Sequence, residues 1–413
     1  MKFLHLADLH LGKSVYGVSL LENGDQQEWA ARFLELVCRV RPDAVIIAGD
    51  VYDRSAPSGD AMALLDHIVT MLSGMQISVM IVAGNHDSGQ RLSFGGSLLA
   101  KQNVHICGVL SKEISHITLS DQNGPVTFWL LPYLFPALVA QKLEDDSIRD
   151  YDTAVRRLLE CQNIDFDRRN VLVAHQNVTA NGQEAVRGGS ESMVGGIGQV
   201  DYRAFDGFEY VALGHIHSAY AVGRKTVRYA GSPLCYHFSE TRQPVKGPVL
   251  VELGKKGTEP KIETKIVPPL HRMREIRGTY EELRAAELQN TSRDEYIRIV
   301  LTDRRPEPEI CRFFCDLFEN RGSMVMELVS EYSRFGAVSS ASAVHAAEEK
   351  SVEALFMEFY AQRCGGRVPD QQERRLLQFA GEQVHCSGYP EDKDALERQA
   401  RMLLDYALEQ EEA

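Results

Sequence analysis

Residues 44–53 read AVIIAGDVYD: five apolar residues that stop at Gly49-Asp50. Two other stretches have the same form. Residues 3–10, FLHLADLH, run into Asp8-Leu9-His10, and residues 77–87, ISVMIVAGNHD, run into Gly84-Asn85-His86-Asp87. Short runs rich in β-branched residues that end in polar residues read as strands. Between them, Gln26–Val40 and Ala61–Leu72 carry helical periodicity. Strand–helix–strand alternation predicts an α/β fold with parallel strands joined by right-handed crossovers. Sites in open α/β sheets gather at the carboxyl ends of the strands, which is where the polar clusters fall.

Further strands are predicted at Val126–Leu131, Val171–Ala174, Tyr210–Leu213, Val227–Ala230 and Val249–Leu253. Two of these run into His175 and into Gly214-His215-Ile216-His217. Their closer spacing predicts a second sheet packed on the first. Beyond Pro268-Pro269 the pattern is a compact β-α-β-α-β unit, with strands at Met273–Ile276, Tyr296–Leu301 and Met324–Val329. Its helix Glu309–Glu319 puts Ile310, Phe313, Phe314, Leu317 and Phe318 on one face, and Thr279 with Glu282 has capping-box spacing. GAVSSASAV at 336–344 reads as a linker. Residues 345–413 carry three helical patterns with too few apolar positions for a core of their own. Their stripes pack back on the body or against a partner helix. The expected division is therefore 1–268, 269–335, a linker at 336–344, and a helical region at 345–413.

The 413 residues are 44% hydrophobic and 25% charged, a globular composition. No run of eighteen apolar residues occurs, so no membrane span is expected. Eight cysteines without a CxxC read as reduced, cytoplasmic usage. The net charge of −13 speaks at first against nucleic acid. The acidity, however, is concentrated in 336–413, with 8 Lys/Arg against 15 Asp/Glu, whereas 1–268 hold 26 against 30. Bound divalent cations would cancel the small excess of the first segment, so a polyanionic substrate is not excluded.

Asp8, His10, Asp50, Asn85, His175, His215 and His217 are oxygen and imidazole donors without a thiolate, a set suited to Mn²⁺, Mg²⁺ or Fe²⁺. Five such clusters, each capping a predicted strand, point to a two-metal phosphoesterase. Asp50, on the central strand, is the expected bridge. Asp8, His10 and one histidine of Gly214–His217 complete one ion's shell; Asn85, His175 and the other histidine complete the second. His86 is placed to protonate the leaving oxygen, with Asp87 or Asp53 to orient it. Leu11-Gly12-Lys13-Ser14 lacks the upstream glycine of a phosphate loop, so no ATP site is expected.

The stretches LHLADLHLGKS (4–14), AGDVYDRSAPS (48–58), VAGNHDSGQR (82–91), LVAHQ (172–176), YVALGHIHSAY (210–220) and VRYAGSPLCYHFSE (227–240) resemble the calcineurin-like metallophosphoesterase superfamily. Within it they are similar to the SbcD-type nuclease subunits of bacteria, the last stretch being the most discriminating. The resemblance implies a four-layer α/β/β/α sandwich with a small α+β capping domain and a C-terminal helical segment. It assigns Asp8, His10, Asp50 and His217 to one Mn²⁺, and Asp50, Asn85, His175 and His215 to the other, with His86 as general acid. It implies a double-strand exonuclease and single-strand or hairpin endonuclease in DNA repair, recombination and replication. The implied partners are DNA and an SbcC-type ATPase whose coiled coil is gripped by 345–413, two nuclease chains pairing within a heterotetramer. Several archaeal and eukaryotic members carry a histidine three residues after the bridging aspartate, where this chain has Asp53 followed by Arg54. Arg54, Arg224, Lys225 and Arg228 are the candidate DNA contacts. The alternative, supported by GDVYDR and GNHD, is a phosphoesterase for a small nucleotide or a phosphoprotein.

Overall fold

The computed structural model describes residues 1–180, 198–242 and 246–331. Two sheets face each other. The first has six strands in the order Lys261–Thr264, Val249–Glu252, Lys2–Leu6, Ala44–Ala48, Ser78–Val82, Val104–Cys107. The last four are parallel, and Val249–Glu252 joins their edge antiparallel. The second sheet has five, in the order Val227–Tyr229, Tyr210–Gly214, Arg169–His175, Gly124–Leu131, Ser115–Asp121. All but the last pair in parallel.

Side chains alternate across a strand, and this sorts the core into layers. Leu4, Leu6, Val45, Ile47, Val79 and Ile81 pack under helices Asp25–Val40 and Gly59–Gly74. Phe3, Ala7, Ile46, Ala48, Met80 and Val82 meet Phe128, Leu130, Val171, Val173, Tyr210 and Ala212 of the facing sheet. The outer face of that sheet, with Leu131, Leu172 and Leu213, is covered by helices Pro136–Leu143 and Tyr151–Glu160. The result is the α/β/β/α sandwich. Phe3 sits at its centre, edge-on to Phe128 and Tyr210 with 5.6 Å between centroids in each pair; such pairs add about 0.5–1.5 kcal/mol to burial.

Each predicted strand is present within about two residues of its expected ends. The edge strands Ser115–Asp121 and Lys261–Thr264 carried no signal, because half-exposed edges lack an apolar run. Past residue 269, three parallel strands, Arg272–Gly278, Glu295–Leu301 and Met324–Ser330, carry helices Tyr280–Gln289 and Pro308–Glu319 on one face. Ile276, Ile297, Ile299 and Leu301 pack there on Phe314 and Phe318. The capping box of Thr279 and Glu282 is formed. The opposite face sends Met273 and Tyr296 into the core under the first sheet. The joint is polar as well: the buried Asp25 carboxylate accepts from the Tyr296 hydroxyl at 2.5 Å and from the backbone N–H of His271 at 3.2 Å. The expected linker 336–344 and the helical region 345–413 lie outside the described residues.

Candidate metal centre

Five strand ends of the two facing sheets meet at one rim. Asp8, Asp50 and Asn85 follow three parallel strands of the first sheet; His175 ends, and His215 and His217 follow, two strands of the second. The backbone turns there through the left-handed region, with φ of 55° at Asp8, 41° at His10, 47° at Asp50 and 104° at His215. Such conformations cost about 1–3 kcal/mol each and persist where the surroundings over-determine them. Here the loops are tied to each other: Asp8 N–H donates to the Gly49 carbonyl at 3.0 Å, and His10 N–H to the Asp50 carbonyl at 2.9 Å. Gly84 allows a close approach, since a Cβ on it would stand 2.1 Å from Asp50 Oδ1.

The seven donors converge. His10 Nε2 lies 3.1 Å from His217 Nε2 and 3.6 Å from Asp50 Oδ2. On the other side of Asp50, His175 Nε2 lies 3.4 Å from the same Oδ2 and 3.1 Å from Asn85 Oδ1. Asn85 Oδ1 is also 3.0 Å from His215 Nδ1. Ligand atoms of Asp8, His10 and His217 cluster within 4.8 Å of one another, and so do those of Asp8, Asp50 and His175. Asp50 thus stands between two groups of donors, and His217 and His215 fall into different groups.

The far nitrogens face acceptors, an arrangement that orients imidazoles toward a metal. His175 Nδ1–H donates to the Ala48 carbonyl at 2.8 Å. His10 Nδ1 faces Asp53 Oδ1, and His217 Nδ1 faces Glu240 Oε1, each at 3.5 Å. Burial pushes His10 down to about 4 and His215 down to about 3, so both rings are neutral donors. Burial pushes Asp8 up to about 7. Burial also works against the charge on Asp50, but the neighbouring His175, His10 and His86 hold it well below the carboxylate range. Asp8 Oδ2 is buried without a partner among the described residues. A buried carboxylate oxygen without a partner, beside two imidazole nitrogens 3.1 Å apart, fits a cation.

His86 lies beside this cluster. Its ring stands edge-on to His10, 4.8 Å between centroids, and its backbone N–H donates to Asp50 Oδ1 at 2.9 Å. Neither aspartate carboxylate orients it. Its Nδ1–H donates to the backbone carbonyl of Asp53 at 3.0 Å, which leaves Nε2 as the ring atom available for proton transfer. The Asp53 carboxylate instead accepts from Lys13 Nζ at 2.7 Å. Asp87 straps the loops, accepting from the N–H groups of Val51, Tyr52 and Gly84 at 2.9–3.1 Å.

The basic candidates are dispersed. The Arg54 side chain is 80% exposed and 3.9 Å from Asp53 Oδ2. Arg224 gives its guanidinium to the carbonyls of Phe205 and Phe208 at 2.9 and 3.0 Å, so it serves a turn of the fold. Lys225 is exposed beside Glu259. Arg228 pairs in register with Ala212 at the edge of the second sheet. Among the described residues, no contact joins the last three to the donor cluster. Sequence reasoning passed over Lys13, Glu240 and Lys246. Lys246 Nζ donates at 2.7 Å to Glu240 Oε2 and to Ser232 Oγ, and at 2.8 Å to the His217 carbonyl. The only signal for Glu240 was its place at the end of VRYAGSPLCYHFSE.

With the geometry in hand, likeness to known proteins becomes decisive. The pattern described as calcineurin-like phosphoesterase matches residues 1–219. The SbcD subunit of the nuclease SbcCD from Staphylococcus saprophyticus is 34% identical over 313 residues, covering 73% of this chain and 78% of its own length. The chain belongs to the SbcD family of nuclease subunits. The Staphylococcus epidermidis member is 31% identical over 307 residues, covering 73% of this chain and 79% of its own. A second pattern, described as a type 5 capsule protein repressor C-terminal domain, matches residues 269–363. A solved structure, TT1561 of Thermus thermophilus, aligns at 14% identity with a TM-score of 0.38, over 65% of this chain and 99% of its own. Members of this phosphoesterase family use divalent metals, in accord with the donor set at the rim.

Proposed function

We propose that this chain is a DNA nuclease subunit that hydrolyses phosphodiester bonds at a site for two divalent cations, Mn²⁺ above all, with Mg²⁺ and Fe²⁺ suiting the same donors. The observation that carries this reading is the meeting of six other oxygen and imidazole donors around Asp50. Asp8, His10, Asp50 and His217 would hold one ion; Asp50, Asn85, His175 and His215 the other. Bound there, the pair supplies charge for the attacking and leaving oxygens of an in-line displacement at phosphorus. The chain's own contribution is to hold these donors in place, all but Asn85 buried. His86 supplies the proton: with Nδ1 fixed on the Asp53 carbonyl, Nε2 is the only ring atom able to reach a leaving oxygen.

The activities assigned are double-strand exonuclease and single-strand or hairpin endonuclease, in repair and recombination of DNA. Arg54 at the exposed rim is the side chain best placed among the basic candidates to meet phosphate. Division at 268, a capping domain to 335 and a partner-binding region at 345–413 fit work beside an SbcC-type ATPase. Pairing of two nuclease chains has a candidate surface: Phe94 and Leu98, four residues apart, are 87% and 70% exposed. Among the described residues no helix is long and apolar enough to cross a membrane. The full chain with Mn²⁺ should degrade linear duplex and hairpin DNA in preference to a phosphopeptide, and Asp50→Ala should abolish cleavage. Retained cleavage in that variant, or preference for the phosphopeptide, would overturn the reading.

A further inference from the structure

Beside the donors around Asn85 lies an aromatic pair that the chemistry above does not use. Tyr133 follows the strand Gly124–Leu131, and its N–H donates to the Ala83 carbonyl at 2.8 Å, next to the loop that carries Asn85. Its ring stacks on His215 at 29° and 6.3 Å between centroids, and stands edge-on to His175 at 6.2 Å. Its hydroxyl is tied to the Tyr151 hydroxyl at 3.2 Å, so the ring is anchored at both ends. Phe135 lies edge-on to Tyr133, 5.1 Å between centroids. Unlike the aromatic rings of the core, it is 57% exposed. It starts helix Pro136–Leu143, and a proline at the first helical position holds the backbone at that corner.

An exposed ring at the end of a row that runs from a donor cluster out to solvent has a direct chemical use. A phosphodiester seated at the donors brings its flanking nucleobases within about one or two ring widths, because base and phosphate are joined through a single sugar. Bases stack on aromatic side chains whatever their identity, and such stacking is a main source of affinity for single strands. Other apolar occupants account less well for an aromatic placed here. We propose that Phe135, braced by Tyr133, is a ledge on which an unstacked nucleobase beside the scissile phosphate packs. This deepens the nuclease reading and rests on it. The ledge selects substrates whose flanking base is free of its duplex partner, such as a single strand or a frayed end, and it tolerates any base.

The test uses the full chain with Mn²⁺ and two short single-stranded oligonucleotides, identical except that one is abasic at the nucleotides flanking the cleaved bond. The wild-type protein should prefer the base-bearing strand in kcat/KM by about tenfold, the low end of what a base–aromatic stack is worth. Phe135→Ala should bring that ratio close to one, through KM, and Phe135→Trp should restore it. A wild-type ratio near one, or a ratio that survives Phe135→Ala, overturns the ledge while cleavage itself upholds the nuclease reading. Absence of cleavage of either strand by wild-type protein overturns the nuclease reading, and the ledge with it.

Discussion

The Nε2 atoms of His10 and His217 lie 3.1 Å apart, while the Nδ1 of each faces a carboxylate, Asp53 for one and Glu240 for the other. The two Nε2 atoms stand within hydrogen-bond distance of one another, and both are assigned to the same cation. A cation there would replace that contact and bind only the folded chain. Mn²⁺ at about one hundred times its Kd should therefore stabilise the protein by about 2.7 kcal/mol per site. Thermal unfolding with and without Mn²⁺ reads this directly. His217→Ala should lose about one site's share of the shift, and a wild-type transition indifferent to Mn²⁺ would refute the site.

His86 touches Asp50 through its backbone and Asp53 through its ring. A change of side chain keeps the backbone contact. His86→Ala should retain metal binding by calorimetry and lose about 10²–10⁴ in kcat. Loss of metal binding in this variant would make His86 a ligand rather than a proton donor.

Asp8 and His175 determine how the site responds to pH. Burial raises Asp8 to about 7, and Asp50 raises His175 to about 9 against the opposing effect of burial. Both protons must leave before a cation can take their place. Affinity therefore rises with pH, by about tenfold per unit for each proton displaced. The slope is steepest below about pH 7, where both protons are lost, and shallower up to about 9. His10 and His215 are already neutral across this window. Mn²⁺ titrations from about pH 6 to 8 should show the rise, and Asp8→Asn should reduce its slope. A slope unchanged by that substitution would contradict the assignment.

Glu240 and Lys246 form a buried ion pair at 2.7 Å behind His217. Removing one partner strands the other charge. Glu240→Ala should destabilise the fold by about 3–5 kcal/mol and weaken Mn²⁺ binding about 10–100-fold through His217. Adding Lys246→Met should recover much of the stability, read by urea unfolding, without recovering the affinity. If affinity returned together with stability, the pair would be structural only.

The layered fold was legible in the sequence because its strands are buried on both faces, and such strands write themselves as apolar runs. Asp8, Asp50 and Asn85 were legible for the same reason: each stands directly after such a run, and a strand's end is local information. The edges Ser115–Asp121 and Lys261–Thr264 left no such trace, since their pairing rests on backbone hydrogen bonds to a neighbour distant in sequence.

By itself, then, the chain's order of residues determined which elements form and which donors stand at their ends. Only the tertiary structure decided what those donors face. His217 meets His10 across more than 200 positions, and His215 meets Asn85 across more than 100. The Asp53 carbonyl, rather than a carboxylate, fixes His86; Glu240 and Lys246 sit behind His217; and Tyr133 lies against His215. The physical reason is that hydrogen bonds and ring contacts act over a few ångströms of space whatever the separation along the chain. Residues brought within that range by the packing of two sheets carry no mark of it in the local pattern.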